Sequence, residues 1–455
     1  MKSSRYNRFF DAEDGTRLAY NCVTSGFATL TEKKYRQVQE MLASPDTYRF
    51  NTKAKKELRD KLLQGGFLLQ NGMDELDILK VRNRSVRFDP RQFTLTVLTT
   101  LNCNFRCTYC YEARKNITMS AETEKALIEF ARKKCENADS FATSWYGGEP
   151  LLRMDAIARL REEFGKICEA NGLKYFPGGI VTNGYLLTRS VGEKLRDMGI
   201  ETAQVTLDGP KDVHDRRRLL PNGKGTFDRI MENLCQTVDC LKTISIRVNT
   251  DKTNADRAVE VLDAIEERGL KGKVSVYFAK VMSNTAACAN IAGSCLVGQE
   301  YADLELQLTR QALAKGFNVT KYPRTKYHYC QADHVNSFVV GPDGYLYKCW
   351  SDPGNIEEAV GHISDPARYQ EKKKNVFKWL AWDAFEKEEC RECDLLPVCM
   401  GGCPYMGLRA NSHTKGACDD WKFNLLDMLK LYYAGRVHTS QNTKEVATPT
   451  REERR

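Results

Sequence analysis

Cys103, Cys107 and Cys110 stand in the spacing CxxxCxxC, inside the run Cys103-Asn-Phe-Arg-Cys107-Thr-Tyr-Cys110. Three thiolates on one short loop can bind three irons of a [4Fe–4S] cube and leave the fourth iron without a protein ligand. An open metal position is what a catalytic centre needs, and a zinc site completed from elsewhere is the alternative for the same spacing. A second constellation follows downstream: Cys330-x13-Gly344-x4-Cys349, then Cys390-x2-Cys393-x5-Cys399-x3-Cys403, then Cys418. Zinc ribbons also use CxxC pairs, so these seven residues admit two readings by spacing alone. The chain has 17 cysteines, and its first residues, MKSSRYNRFFDAEDGTRLAY, contain no apolar core of a secretory signal. Clustered cysteines without an export signal point to metal or redox chemistry in a reducing compartment, here the cytoplasm, rather than to a disulfide framework.

The elements that must position these residues are regular. From residue 92 to 281 an apolar strand is followed by a helical stretch six times. The pattern predicts strands at Phe93–Leu98, Phe141–Trp145, Gly179–Thr182, Ala203–Leu207, Ile244–Val248 and Val274–Phe278. Helices are predicted at Ala121–Cys135, Leu187–Met198, Phe227–Leu241 and Ala255–Arg268. Alternation of this kind implies an α/β fold with a parallel sheet and helices outside. Periodicity does not decide between a doubly wound sheet and a partial barrel. In both, ligands gather at the C-terminal strand ends.

Short segments at those strand ends form a set. Gly147-Gly148-Glu149-Pro150 follows the second strand and Thr182-Asn183-Gly184 ends the third. Leu207-Asp208-Gly209-Pro210 ends the fourth and leads into His214-Asp215-Arg216-Arg217-Arg218, while Arg247 and Asn249 close the fifth. With CxxxCx(aromatic)C after the first strand, Tyr109 filling the aromatic place, the set resembles the radical S-adenosylmethionine (SAM) superfamily. The resemblance implies a partial (β/α)6 TIM-like barrel. In it SAM chelates the open iron of a [4Fe–4S] cluster on Cys103, Cys107 and Cys110, and its cleavage yields a 5′-deoxyadenosyl radical that takes a hydrogen from the substrate. It also implies SAM contacts from Tyr109, Gly147, Gly148, Glu149, Pro150, Thr182, Asn183, Asp208, Arg218 and Asn249. Arg218 fits the spacing of a partner for the SAM carboxylate best, with Arg217 close behind.

The seven downstream cysteines resemble a SPASM domain, which implies two auxiliary [4Fe–4S] clusters and three clusters in all. Cys330, Cys349 and Cys403 would serve the first, with Cys295 ahead of Cys288 as a candidate fourth ligand. Cys390, Cys393, Cys399 and Cys418 would serve the second. Enzymes of this kind mostly modify peptides and proteins.

Residues 1–88 add an alternating stretch, Phe9–Leu30, with a turn at Asp14-Gly15, then helices beginning at Thr31 and Lys53. This resembles the winged-helix-like module that binds leader peptides. The expected organisation is that module at 1–88, the barrel at 89–285, a connector at 286–329, the SPASM region at 330–425, and a C-terminal helix with a disordered tail at 426–455. Metal clusters rather than a large apolar core are expected to hold the SPASM region together.

The expected activity is that of a maturase of ribosomally synthesised precursor peptides, forming a crosslink (thioether, C–C or C–O) or an epimerised residue. A flavodoxin- or ferredoxin-like reductant is implied. A sulfatase-maturing enzyme is the alternative, although the place after Cys349, where those enzymes typically carry a base Asp, holds Trp350, with Asp352 two residues on. A non-catalytic iron–sulfur electron carrier would need the cysteines but not the strand-end segments. The formal charge of +9 is mild for 455 residues and forms no long basic stripe, which argues against nucleic acid. No stretch approaches the roughly 18 apolar residues of a membrane helix. No catalytic base stands out; Tyr277, Tyr347 and Trp350 are aromatic candidates near the cysteines.

Overall fold

The computed structural model describes residues 1–409 and 417–446. Six parallel strands form its centre: β1 Gln92–Leu98, β2 Ser140–Tyr146, β3 Gly179–Thr182, β4 Thr202–Thr206, β5 Thr243–Thr250 and β6 Ser275–Lys280. They lie in strictly sequential order, each parallel to the next. A doubly wound sheet would reverse its order at a switch point. Sequential order with right-handed crossovers instead puts every helix on one face, the winding of a barrel left open. Alternate residues confirm the two faces. Phe93, Leu95, Val97, Phe141, Trp145, Val205, Ile246 and Val248 join the large apolar core. Gln204, Arg247, Asn249 and Tyr277 stand on the other face and bond one another.

The downstream cysteine region extends this sheet. Ser337–Val340 (β7) pairs in parallel with β1, and the antiparallel strands Tyr345–Tyr347 (β8) and Gly361–His362 (β9) follow. The region also contains a helix, Pro366–Leu380, and buries Trp379, Phe385, Leu396 and Val398. Trp379 joins the barrel core, and Phe385, Leu396 and Val398 join a cluster with the N-terminal block, so shared apolar packing holds a region expected to rely on metal clusters rather than a large apolar core.

The N-terminal block is a three-stranded antiparallel meander (Asn7–Asp11, Arg17–Asn21, Gly26–Leu30), whose first two strands are joined by the turn at Asp14-Gly15 and whose third extends the pair. Thr31 caps the helix Glu32–Ala43 through Lys34 N, as its position predicts. Helices Lys53–Gln64 and Glu75–Arg87 follow. Tyr6, Tyr20, Cys22 and Leu79 pack in one cluster with Phe385, Leu395, Leu396 and Val398, so the block is fused to the cysteine-rich region by a shared core. Tyr20 Oη donates to Pro323 O at 2.7 Å and Thr325 Oγ1 to Cys22 O at 2.9 Å. The last helix runs Trp421–Val446, past the point where a disordered tail was expected, and residues 447–455 lie outside the described residues. Among the described residues no helix is long and apolar enough to cross a membrane.

Arg87 makes the deepest polar link between block and sheet. It is 2% exposed, donates to the carbonyls of Asp333, Leu380 and Trp382 at 3.1, 3.0 and 2.7 Å, and pairs with Asp333 at 3.7 Å. Removing one partner of a buried, hydrogen-bonded pair strands the other. Arg87→Met is expected to cost about 3–5 kcal/mol of stability, read by denaturant unfolding; a loss within experimental error would show the link to be dispensable.

Candidate active site

The cysteine loop leaves β1 and folds over the C-terminal end of β2. Gly148 N donates to Thr100 O at 3.1 Å and Glu149 N to Asn102 O at 2.9 Å. A Cβ on Gly147 would lie 2.4 Å from Thr100 O, and one on Gly148 2.3 Å from Asn102 O, so this contact excludes any side chain. Glu149 is fully buried and engaged by the fold: Oε1 accepts from Leu151 N and Thr182 Oγ1 at 3.0 and 2.7 Å, Oε2 from Asn183 N at 2.7 Å. Burial pushes its carboxyl pKa up, and these three donors pull it back. Glu149 thus ties the ends of β2 and β3, with Pro150 opening the short turn behind it. What the segment can offer a ligand is its backbone. Asn183 Nδ2 donates to Asn104 Oδ1 at 2.7 Å, fastening β3 to the cysteine loop through a residue no motif singled out.

Tyr109 sits at the centre of the strand ends. Its hydroxyl accepts from Arg218 Nη1 at 2.7 Å and Asn249 Nδ2 at 3.1 Å, and the Arg217 guanidinium lies 4.9 Å from its ring centroid. The two neighbouring arginines part here. Arg217 is fully occupied in a buried network: Nε to Asp208 at 3.2 Å, and Nη1 to both oxygens of Asp251 at 2.9 Å. Asp208 is buried and also accepts from Asn249 N at 3.3 Å, so its carboxylate organises the site. Arg218 faces Cys107 electrostatically, and its Nε is buried without a partner. A buried, unpaired N–H on a fixed cation suits an anionic ligand. Asp251, which decides between the two arginines, carried no motif; only its place just past β5 could have flagged it.

His214 fixes the loop that carries Arg218. Its Nδ1 accepts from Asp208 N at 3.3 Å, which leaves the ring proton on Nε2, 3.0 Å from Thr226 Oγ1. Thr226 Oγ1 in turn donates to Arg218 O at 2.6 Å.

Cys103, Cys107 and Cys110 line one cavity of ≈ 480 Å³ with Gly148, Glu112 and Arg114. Burial pushes the Cys103 and Cys110 thiols up to about 12 and raises Cys107 as well, while the Arg218 charge pulls Cys107 down. Thiols so desolvated become thiolates only beside a compensating charge such as iron, so the donor set fits a cluster. Phe105 N points at Cys103 Sγ from 3.4 Å, a donor for a bound thiolate.

The other cysteines fall into two electrostatically linked sets: Cys330 with Cys349 and Cys403, and Cys390, Cys393 and Cys418 with Cys399. Cys295 lies elsewhere, bonded to Ile291 O at 3.5 Å and neighbouring Cys288 and Asp251. Cys288 is buried against Thr285 and the Met282 carbonyl. Among the described residues no three Cys, His, Asp or Glu side chains stand close enough to share one metal ion. A cube takes one thiolate per iron and spaces its ligands more widely.

Residues 97–265 match the family model of the Radical SAM superfamily. The Fe-coproporphyrin III synthase of Methanosarcina barkeri is 27% identical over 48% of this chain, and the chain spans about half (52%) of that relative's length. The serine-type anaerobic sulfatase-maturating enzyme of Klebsiella aerogenes is 24% identical over 66% of this chain and 77% of its own. Among solved structures, anSMEcpe with bound AdoMet and the Kp18Cys peptide superposes with TM-score 0.58 at 18% identity, covering 74% of this chain and 99% of the other. Streptococcus suis SuiB bound to its precursor peptide SuiA superposes with TM-score 0.52 at 15% identity, covering 91% and 98%. Residues 97–265 thus carry the sequence signature of the Radical SAM superfamily, and the superpositions show a shared fold.

The contrast between the two arginines gives a test. Arg218→Gln is expected to weaken SAM binding about tenfold to a hundredfold, the worth of one charge-assisted hydrogen bond. Arg217→Gln should instead lower thermal stability, because it strands Asp208 and Asp251. Equilibrium dialysis and calorimetry on the two variants would separate the roles; equal effects on both readouts would refute the division.

His214 gives a second. Its pKa is held well below 6.5, by burial first and by the Arg218 and Arg217 charges next. Below about 6.5 the unfolded chain takes up a proton that the folded chain refuses. Stability is therefore full above that pH and declines as pH falls toward the depressed folded value. His214→Gln should flatten this part of the melting-temperature profile; an unchanged slope would place the acid sensitivity elsewhere.

Proposed function

We propose that the chain is a SPASM-type radical SAM enzyme that matures a precursor peptide: SAM held at the β1–β5 ends would take one electron, delivered through the cluster from a flavodoxin- or ferredoxin-like reductant, and its cleavage to methionine would leave a 5′-deoxyadenosyl radical to take hydrogen from a peptide side chain or backbone. The chain's own residues would do the following. Cys103, Cys107 and Cys110 hold the catalytic cluster, Arg218 holds the SAM carboxylate, and Tyr109 and Asn249 order the pocket. Glu149, Asp208, Arg217 and His214 keep these groups in place. We assign Cys330, Cys349 and Cys403 to a first auxiliary cluster and Cys390, Cys393, Cys399 and Cys418 to a second, three clusters in all.

The observation that carries the peptide reading is the N-terminal meander. It is packed onto the cysteine-rich region and leaves both outer strands, Asn7–Asp11 and Gly26–Leu30, without a further partner strand among the described residues. An unpaired sheet edge can take up an extended peptide as one more strand. The likeness to SuiB spans 91% of the chain and so includes this block. The expected product remains a crosslink or an epimerised residue. The sulfatase-maturing reading is weaker here, because Asp352 is 3% exposed and ion-paired to Arg409 at 2.6 Å.

Iron and zinc per chain after anaerobic reconstitution test the cluster count: about 12 irons and no zinc are expected for three cubes. About four irons with two zincs would leave the SPASM region a zinc-held structural module. The peptide role is tested by proline at either exposed edge, Thr29→Pro or Arg8→Pro. One of the two should weaken binding of a co-encoded precursor peptide while SAM cleavage persists. Unchanged affinity in both would remove the edge as the docking site.

A further inference from the structure

Arg247 is a cation in the barrel without a counter-ion. It lies on β5 in register with Thr206 of β4 and Tyr277 of β6, on the face away from the helices. Its Nε donates to Asn249 Oδ1 at 2.7 Å, and its guanidinium lies 5.9 Å from the Tyr277 ring centroid. Its electrostatic neighbours include the phenols of Tyr277, Tyr146, Tyr111 and Tyr301. Tyr111 and Tyr146 hydrogen-bond hydroxyl to hydroxyl. Among the described residues no carboxylate pairs with Arg247. Glu112 lies beside the same two tyrosines, forms no ion pair with it, and has Oε2 buried without a partner. By contrast, Arg217 on the same rim meets two aspartates. A partly buried guanidinium ringed by tyrosines and lacking an anion is a cost to the empty protein, and it is relieved when a ligand brings the anion.

The way in from solvent is aromatic. The Tyr146 ring is stacked on Trp350 at 6.0 Å and 20°, and Trp350 is 51% exposed beside Cys349. Asn284 and Thr285 fasten the neighbouring connector to Ser351 and to the Tyr111 carbonyl. Tyr146 and Trp350 thus form an aromatic pair reaching from beside Arg247 to the surface next to Cys349.

We propose that Arg247 binds a carboxylate of the substrate, bidentately, with Tyr146 and Trp350 as the wall along which the peptide enters. The inference rests on the peptide reading for the word peptide, and on Arg247 alone for the word carboxylate. Arg247 also steadies Asn249, so a purely structural role must be told apart from this one. A guanidinium kept for a ligand is a stability liability, whereas a structural one is an asset.

Three readouts on the reconstituted full-length enzyme decide. First, Arg247→Gln keeps a donor for Asn249 and removes the charge. Its melting temperature without ligand should stay level or rise, and a clear fall would overturn the proposal in favour of a structural arginine. Second, glutarate should raise the melting temperature of the wild-type enzyme where neutral glutaramide does not, and the difference should vanish in Arg247→Gln. No glutarate-specific shift, or the same shift in the variant, overturns it. Third, random peptide libraries, one with free and one with amidated C-termini, are incubated with SAM and reductant. Modified peptides should be enriched in Asp or Glu at a fixed offset from the altered residue, or only in the free-terminus library if the chain end is the source. Arg247→Gln should lose that enrichment. Modified peptides without it would sink the carboxylate and leave the peptide reading standing. SAM cleavage with no peptide modified would sink the peptide reading, and the carboxylate would then be judged on the glutarate shift.

Discussion

The contact between the cysteine loop and the turn after β2 admits backbone only. Two hydrogen bonds join Thr100 and Asn102 to Gly148 and Glu149, and a single methyl group at either glycine would collide with a carbonyl oxygen. Every other feature of the site is arranged around that close approach. It seats Cys103, Cys107 and Cys110 over the strand ends, brings Tyr109 under the arginines, and lets the buried Glu149 carboxylate tie β2 to β3. Glycine is required here for space, which explains why two of them stand in succession where the chain also needs a positive φ, 123° at Gly147.

Around this contact the charged residues divide between those that complete one another and those that do not. Asp208, Arg217 and Asp251 form a closed buried set, with Asn254 Nδ2 donating to the Asp208 and Asn249 carbonyls at 2.7 and 2.9 Å. Such a set contributes little net stability, yet it holds its neighbours in one geometry. Arg218 and Arg247 are left incomplete on opposite sides of Asn249. The site is thus preorganised by satisfied groups and receptive through unsatisfied ones.

Much of this was legible in the sequence. All six barrel strands were found near their observed ends, because their helix-facing residues are apolar and their period is local. The site segments could be recognised because each lies at a strand end. Two long-range links were not legible, for a shared reason. The pairing of Ser337–Val340 with β1 joins residues over two hundred positions apart, and no local pattern encodes it. Asp251 looked like any loop acid until Arg217 was seen to reach it. The preference for Arg218 over Arg217 was already there in the spacing; the occupied guanidinium of Arg217 supplies a physical reason for it. The helix Pro366–Leu380 was missed because the cysteines and glycines around it dominate the local composition.

The strand Ser337–Val340 has a mechanical consequence. β1 leads within a few residues to Cys103, and β7 turns through β8 directly to Cys349, so two sets of thiols hang from strands of one continuous ladder. Adjacent strands keep a spacing of about 4.8 Å, and a ladder flexes far less than a linker. The gap between the two sets is therefore set like the jaws of a fixed gauge. Were both sets to hold clusters as proposed, the distance an electron has to cross would be governed by the ladder and not by a flexible linker.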